Sequence, residues 1–137
     1  MPVQLGNAVW RGTLHGGEGL LHFHDFESRY TFASSFETGP GTNPEELLAT
    51  ACAGSFSMFL AALLQEKGFS PTIQTEARVI LGDDAGPKIT RIDLTSRVSA
   101  EGLEDSVLQE DGTMAKEMCP MSRLCTGAEI SLEITLF

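Results

Sequence analysis

The sequence predicts an α+β fold with mostly antiparallel sheet. Three observations carry that reading. Apolar and polar residues alternate near both ends of the chain and in its middle, one long apolar helix signal stands between the strands, and the strands are joined by hairpin loops with few crossover helices. The order read along the chain is strands, helix, strands, helix, strand.

Each element has a local reason. Ala8 to Leu14 alternates apolar and polar residues, and His15-Gly16-Gly17-Glu18-Gly19 follows as a turn. Leu20 to His24 and Arg29 to Phe36 read as further strands of an antiparallel meander. Thr38-Gly39-Pro40-Gly41-Thr42 is a loop by composition. It leads into Asn43-Pro44-Glu45-Glu46-Leu47, a helix start in every respect. Asn caps the first turn, Pro at the first helical position has no N–H to leave unpaired, and two glutamates oppose the positive helix end. The helix is expected to run to Lys67, with Gly68 as a left-handed stop. From Leu47 to Leu64 it is apolar on nearly every face. That pattern calls for a central helix with a sheet on one side and further cover, such as a partner subunit, on the other.

Pro71 to Leu81 and Ile89 to Ala100 read as strands joined by the loop Gly82-Asp83-Asp84-Ala85-Gly86-Pro87. Residues 103–118 read as a helix weakened where Asp111-Gly112 interrupts it. Cys119-Pro120-Met121-Ser122 begins a new element, with Pro marking a helix N-terminus, and Ala128 to Phe137 is a last alternating strand.

Length and charge narrow the function classes. A chain of 137 residues is expected to form a single domain, 1–137. A hydrophobic fraction of 42% and a charged fraction of 20% fit a globular protein. Nineteen acidic against nine basic side chains leave a net charge of −10. With a pI near 4.6, nucleic acid and anionic membranes are not expected partners. Thr50, Ser55 and Ser57 interrupt the apolar run, which argues against a membrane span. Met1-Pro2-Val3-Gln4 has no signal-peptide pattern, so the cytoplasm is the expected compartment. Three cysteines are too few for a disulfide scaffold and read as buried hydrophobes or redox thiols.

Among those thiols, Cys52 lies mid-helix, where a cysteine serves either as a small hydrophobe or as a reactive group. Cys119 precedes Pro120 at a helix start, where free N–H groups and the helix dipole favour thiolate, and Arg123 adds positive charge one turn on. Plain capping or packing is the alternative for Cys119, and Cys125 reads as packing. Ser55 follows Gly54 but lacks the second glycine of a hydrolase elbow. His15, His22 and His24 read as exposed strand residues, with no ligand spacing that suggests a metal. Gly39-Pro40-Gly41 is not a nucleotide loop.

Several stretches together resemble the OsmC/Ohr family of thiol-dependent hydroperoxide reductases, the OsmC branch in particular. They are Ala8-Val9-Trp10-Arg11-Gly12, Phe36-Glu37, Gly39 to Leu48, Ala53 to Met58, Glu66-Lys67-Gly68-Phe69, Lys88 to Leu94 and Glu117 to Ser122. The resemblance implies an intertwined homodimer, with two sheets flanking paired central helices and two active sites at the subunit interface. It implies organic hydroperoxide as substrate, no cofactor or metal, and a dithiol reductant such as a lipoyl protein. One cysteine attacks the peroxide, a second closes a disulfide, and an Arg and a Glu activate the first.

Carried over by position, the resolving cysteine falls on Cys119 and the glutamate on Glu45. The attacking cysteine falls on Ser55 and the arginine on Ser35, so two of the four members differ. Cys52 lies three residues before Ser55 on the same helical face. Two functional expectations follow. In the first, Cys52 attacks, Cys119 resolves, Glu45 supports, and Arg29 or Arg123 supplies the missing guanidinium. In the second, the fold is kept without the peroxidase, and the protein binds a small apolar ligand or serves a non-catalytic stress role.

Overall fold

The protein is described by a computed structural model covering residues 2–37 and 39–137; Met1 and Thr38, the latter in the expected loop, lie outside the described residues. The chain divides into two compact units, 1–47 and 48–137.

The first unit is built on an antiparallel meander of β1 (Asn7–Arg11), β2 (Glu18–Phe23) and β3 (Phe26–Tyr30), in that spatial order. Val9 pairs with Leu20, and Leu20 with Arg29. Gly19 lies between two rings: a Cβ there would overlap the Tyr30 ring and stand 2.8 Å from Trp10 Cε3. Its absence lets Trp10 and Tyr30 meet with centroids 5.4 Å apart.

The third strand is shorter than its alternation suggests. The expected strand Arg29–Phe36 is corrected: β3 ends at Tyr30, and Phe32–Phe36 form a short helix, α1. Thr31 is the reason. Its hydroxyl accepts from the Ser34 N–H at 3.1 Å, while the Thr31 N–H donates to Ser34 Oγ at 2.7 Å. This reciprocal cap turns the chain into a helix against the period-2 pattern. The connection that follows is tied down by Asn43 Nδ2, which donates to the Ser34 carbonyl at 2.7 Å.

Helix α2 (Pro44–Glu66) begins and ends where the sequence places its signals. The Glu46 N–H donates to Asn43 Oδ1 at 2.7 Å, and the Thr42 hydroxyl donates to Glu46 Oε1 at 2.7 Å. Gly68 takes φ +89° just beyond the C-terminus.

In the second unit, Cys52, Phe56, Leu60 and Leu64 of α2 form a buried stripe at i, i+4 spacing. They pack in a core with Ile92, Leu94, Val98, Leu108 and Ile134. The opposite face carries Ala51, Gly54, Met58 and Ala62, all exposed, with Met58 at 73%. By length and composition α2 is apolar enough to cross a membrane. Within this unit, however, Ser57 Oγ donates to Thr75 Oγ1 at 2.7 Å, and Thr75 Oγ1 lies 3.0 Å from Ser96 Oγ.

The second sheet has the order β4 (Thr72–Asp83), β5 (Pro87–Ser99), β6 (Glu129–Leu136). The β4–β5 hairpin is antiparallel, as its loop implies, but β6 runs parallel to β5. The sheets are thus mostly antiparallel with one parallel pair. Helix α3 (Asp105–Met118) runs unbroken through Asp111-Gly112, which corrects the expected interruption. Packing explains the glycine: a Cβ at 112 would lie 3.1 Å from Ile134 Cδ1, so its absence lets α3 approach β6. Asp111 is 2% exposed, and its carboxylate accepts from Lys67 Nζ at 2.5 Å. Cys119 joins α3 to the short helix α4 (Pro120–Leu124), with Pro120 at the start of α4.

Candidate functional site

Three thiols gather in the second unit. Helix α2 presents Cys52 and Ser55 one turn apart, and α4 presents Cys119 at its start and Cys125 at its end. Ser55 Oγ lies 3.2 Å from Cys119 Sγ. Cys52 sits one turn back on α2, and Cys125 packs against the core that contains it. All three cysteines are free thiols; Cys52 and Cys119 are buried and Cys125 is half-buried.

Their acidities differ for physical reasons. Burial, followed by the nearby Cys125 and Cys119 sulfurs, pushes the Cys52 thiol from 9.0 up to about 11. Burial works the same way on Cys119, but other groups outweigh it. The Ser55 hydroxyl, the backbone and hydroxyl of Ser122 and the backbone of Met121 together hold the Cys119 thiol below its ordinary value. Ser122 was not singled out from the sequence. Its signal is positional: in Cys-Pro-Met-Ser it is the residue three beyond the N-cap, in the first turn of the helix that Cys119 precedes.

The first unit contains a cavity of about 400 Å³. Its wall is largely apolar: Trp10, Leu14, Tyr30, Phe32 and Phe36, with Pro44. Ser35 and Glu45 also line it, and Glu45 Oε2 is buried without a hydrogen-bond partner among the described residues. Ser35, the position to which the resemblance carries an arginine, thus shares a wall with Glu45. Sequence reasoning missed the aromatic members, which are spread over β1, β3 and α1 and meet only after the meander folds.

The two arginines expected to supply a guanidinium are placed differently. Arg29 is exposed and pairs with Glu18. Arg123 is exposed on α4, with its backbone N–H donating to the Cys119 carbonyl at 3.0 Å. His15 stacks on Phe32 with centroids 4.3 Å apart, and His22 and His24 are exposed. Among the described residues no cluster of three His, Cys, Asp or Glu side chains could hold a metal ion.

Comparison with known proteins gives one consistent answer. The family model described as OsmC-like protein matches residues 37–135. The chain is 40% identical over 136 residues to peroxiredoxin OsmC of Escherichia coli strain K12, covering 96% of this chain and 94% of that protein. It is 30% identical over 95 residues to organic hydroperoxide resistance protein OhrB of Bacillus subtilis strain 168, covering 69% of this chain and 70% of that one. The crystal structure of Bacillus subtilis OhrB superposes with a TM-score of 0.70 at 27% identity, covering 95% of this chain and 97% of the other. An OsmC-like protein of unknown function from Vibrio cholerae superposes with a TM-score of 0.80 at 14% identity, covering 98% and 99%, which speaks for the fold.

Proposed function

The chain belongs to the OsmC-like protein family, and on that premise we propose that it reduces organic hydroperoxides by thiol chemistry. The names of its relatives support a peroxiredoxin-like role in hydroperoxide stress. The observation that carries the residue-level reading is the 3.2 Å contact of Ser55 Oγ with Cys119 Sγ.

Thiolate, not thiol, attacks the O–O bond, so the more acidic sulfur is the better nucleophile at neutral pH. Cys119 is held below its ordinary pKa, whereas Cys52 is raised to about 11. These acidities favour exchanging the roles expected from the sequence: Cys119 attacks and Cys52 resolves. Ser55 then acts as the donor that stabilises the attacking thiolate, and Met121 and Ser122 supply further positive dipole. Cys119 has no exposed surface, so an oxidant enters by a small displacement of the groups around it. The role of Glu45 rests on the resemblance and on its buried Oε2, which has no hydrogen-bond partner among the described residues.

The working form is a homodimer. The exposed apolar face of α2, with Ala51, Gly54, Met58 and Ala62, is what a second copy would cover. A dithiol, carried by a lipoyl protein or a similar donor, returns the oxidised cysteines to thiols.

The test is consumption of cumene hydroperoxide by the reduced protein with dihydrolipoamide. Turnover is expected for wild type and is lost in Cys119→Ser. A wild type that consumes no peroxide, or a Cys119→Ser variant that turns over normally, overturns this reading.

One observation favours a second reading. The aromatic cavity of about 400 Å³ has the size and lining of a small-molecule site, so a family member without peroxidase would use it to hold a small apolar ligand. Trp10, the single tryptophan, lies in its wall and reports occupancy. Saturable change in its fluorescence with an apolar ligand, in a protein that consumes no peroxide, is the outcome that selects this reading.

A further inference from the structure

We infer that Cys125 is a third redox residue, which takes over the disulfide from the buried Cys119–Cys52 pair and holds it as Cys52–Cys125 at the half-exposed end of α4. This rests on the peroxidase reading above. The geometry is an arrangement of residues on α2 and α4. Ser55 meets Cys119 at 3.2 Å at the start of α4, while Cys52 lies one turn earlier on α2 and Cys125 lies at the far end of α4. Packing agrees: Cys125 is partly buried against the core that contains Cys52.

Access makes such a residue necessary. Cys119 has no exposed surface and Cys52 is 6% exposed, so a disulfide between them is closed to a reductant carried on another protein. Cys125 caps the C-terminal end of α4 and is followed by exposed Thr126 and Gly127, where a Cβ at 127 would meet nothing within 4 Å. It is the only one of the three sulfurs on a half-buried residue beside an open turn.

The steps balance. The Cys119 thiolate attacks one oxygen of the hydroperoxide, the O–O bond breaks, and the alkoxide takes a proton and leaves as the alcohol. Cys119 is then a sulfenic acid. The Cys52 sulfur attacks it, the S–O bond breaks, and the thiol proton leaves with the hydroxide as water. The Cys125 thiolate next attacks the Cys52 sulfur, the Cys52–Cys119 bond breaks, and Cys119 departs as thiolate. A thiol of lower pKa leaves faster, and Cys119 is the sulfur whose surroundings stabilise the anion, so exchange runs toward Cys52–Cys125. An external dithiol then reduces that disulfide by two exchanges and leaves as its own disulfide. Two electrons pass from dithiol to peroxide.

The test is disulfide mapping by mass spectrometry on the full-length wild type after one equivalent of cumene hydroperoxide. A Cys52–Cys125 bridge is expected; Cys52–Cys119 as the stable product overturns the inference. Cys125→Ser, with Cys125→Ala as a second variant, is expected to consume its first equivalent of peroxide and stop as Cys52–Cys119. Its steady-state rate with dihydrolipoamide should fall about tenfold or more, because the reducible disulfide stays buried. Unchanged turnover in both variants overturns the inference. Diamide, which oxidises dithiols without peroxide, separates the two failures. A Cys52–Cys125 bridge under diamide in a protein that consumes no peroxide defeats the peroxidase reading. Peroxide consumption without that bridge under either oxidant defeats the relay alone.

Discussion

The hydroxyl of Ser55 stands 3.2 Å from the sulfur of Cys119, joining the middle of α2 to the start of α4. A serine here can donate to a thiolate but cannot itself be a peroxide nucleophile, since its hydroxyl stays protonated near neutral pH. The contact is one of the interactions that lower the pKa of the neighbouring sulfur against its burial.

Ser55→Ala removes that donor. A hydrogen bond to a charged group contributes about 1.5–3 kcal/mol, and ~1.4 kcal/mol is a factor of ten, so thiolate at pH 7 should fall about tenfold or more. The pH dependence of iodoacetamide alkylation at Cys119, read by mass spectrometry, measures it. An unchanged profile would remove Ser55 from the account.

Alkaline stability should carry the signature of Cys52. Its folded pKa of about 11 lies above the ordinary 9.0, so its neutral form is favoured by folding. That contribution is complete below about pH 9 and is lost as the pH rises toward 11. Cys119 acts in the opposite sense: its depressed pKa adds stability above its ordinary value and loses it as the pH falls through the folded one. Urea titrations from pH 8 to 11 are expected to show declining stability for wild type and a shallower decline for Cys52→Ala.

Gly112→Val tests the close approach of α3 to β6. A Cβ at 112 would lie 3.1 Å from Ile134 Cδ1 and 3.3 Å from its Cγ2, and Ile134 is 5% exposed. Overpacking of this kind costs roughly 1–3 kcal/mol. Denaturant midpoints should fall accordingly, and Ile134→Ala in the same chain should return part of the loss. Additive effects of the two changes would show that they do not share a contact.

Lys67→Met addresses the ion pair behind α3. Asp111 is buried and its Oδ2 has no hydrogen-bond partner among the described residues, so Lys67 supplies the cation for an enclosed carboxylate. Removing one partner of such a pair leaves an uncompensated charge. A lower Tm at pH 7 is expected, with part of the loss recovered in the double variant Lys67→Met with Asp111→Asn.

Much of the fold was legible because its signals are local. Asn43-Pro44 and Gly68 bracket α2 within two residues of its observed ends, since cap and stop chemistry acts over a single turn. The β4–β5 hairpin follows from its loop in the same way. The Thr31–Ser34 cap is also local, but the alternation around Arg29–Phe36 masked it. What was not legible depends on partners distant in sequence. The parallel docking of β6 on β5 is such a case, as is the harmless place of Gly112 against Ile134. The candidate site divides likewise. The acidity of Cys119 could be anticipated from Pro120 and the helix start. The packing of Cys125 against the core that contains Cys52 could not, because it depends on how α4 docks on that core.

Pro120 has one more effect on its neighbour. A residue ahead of proline is sterically kept out of helical backbone, and Cys119 accordingly adopts φ −60° and ψ 136°. Helix α3 therefore has to end at Met118, and α4 has to restart at Pro120, whatever the oxidation state of the sulfur between them. The residue is pinned at a joint that can neither be wound into the preceding helix nor slide along it, so its sulfur keeps one address in the chain.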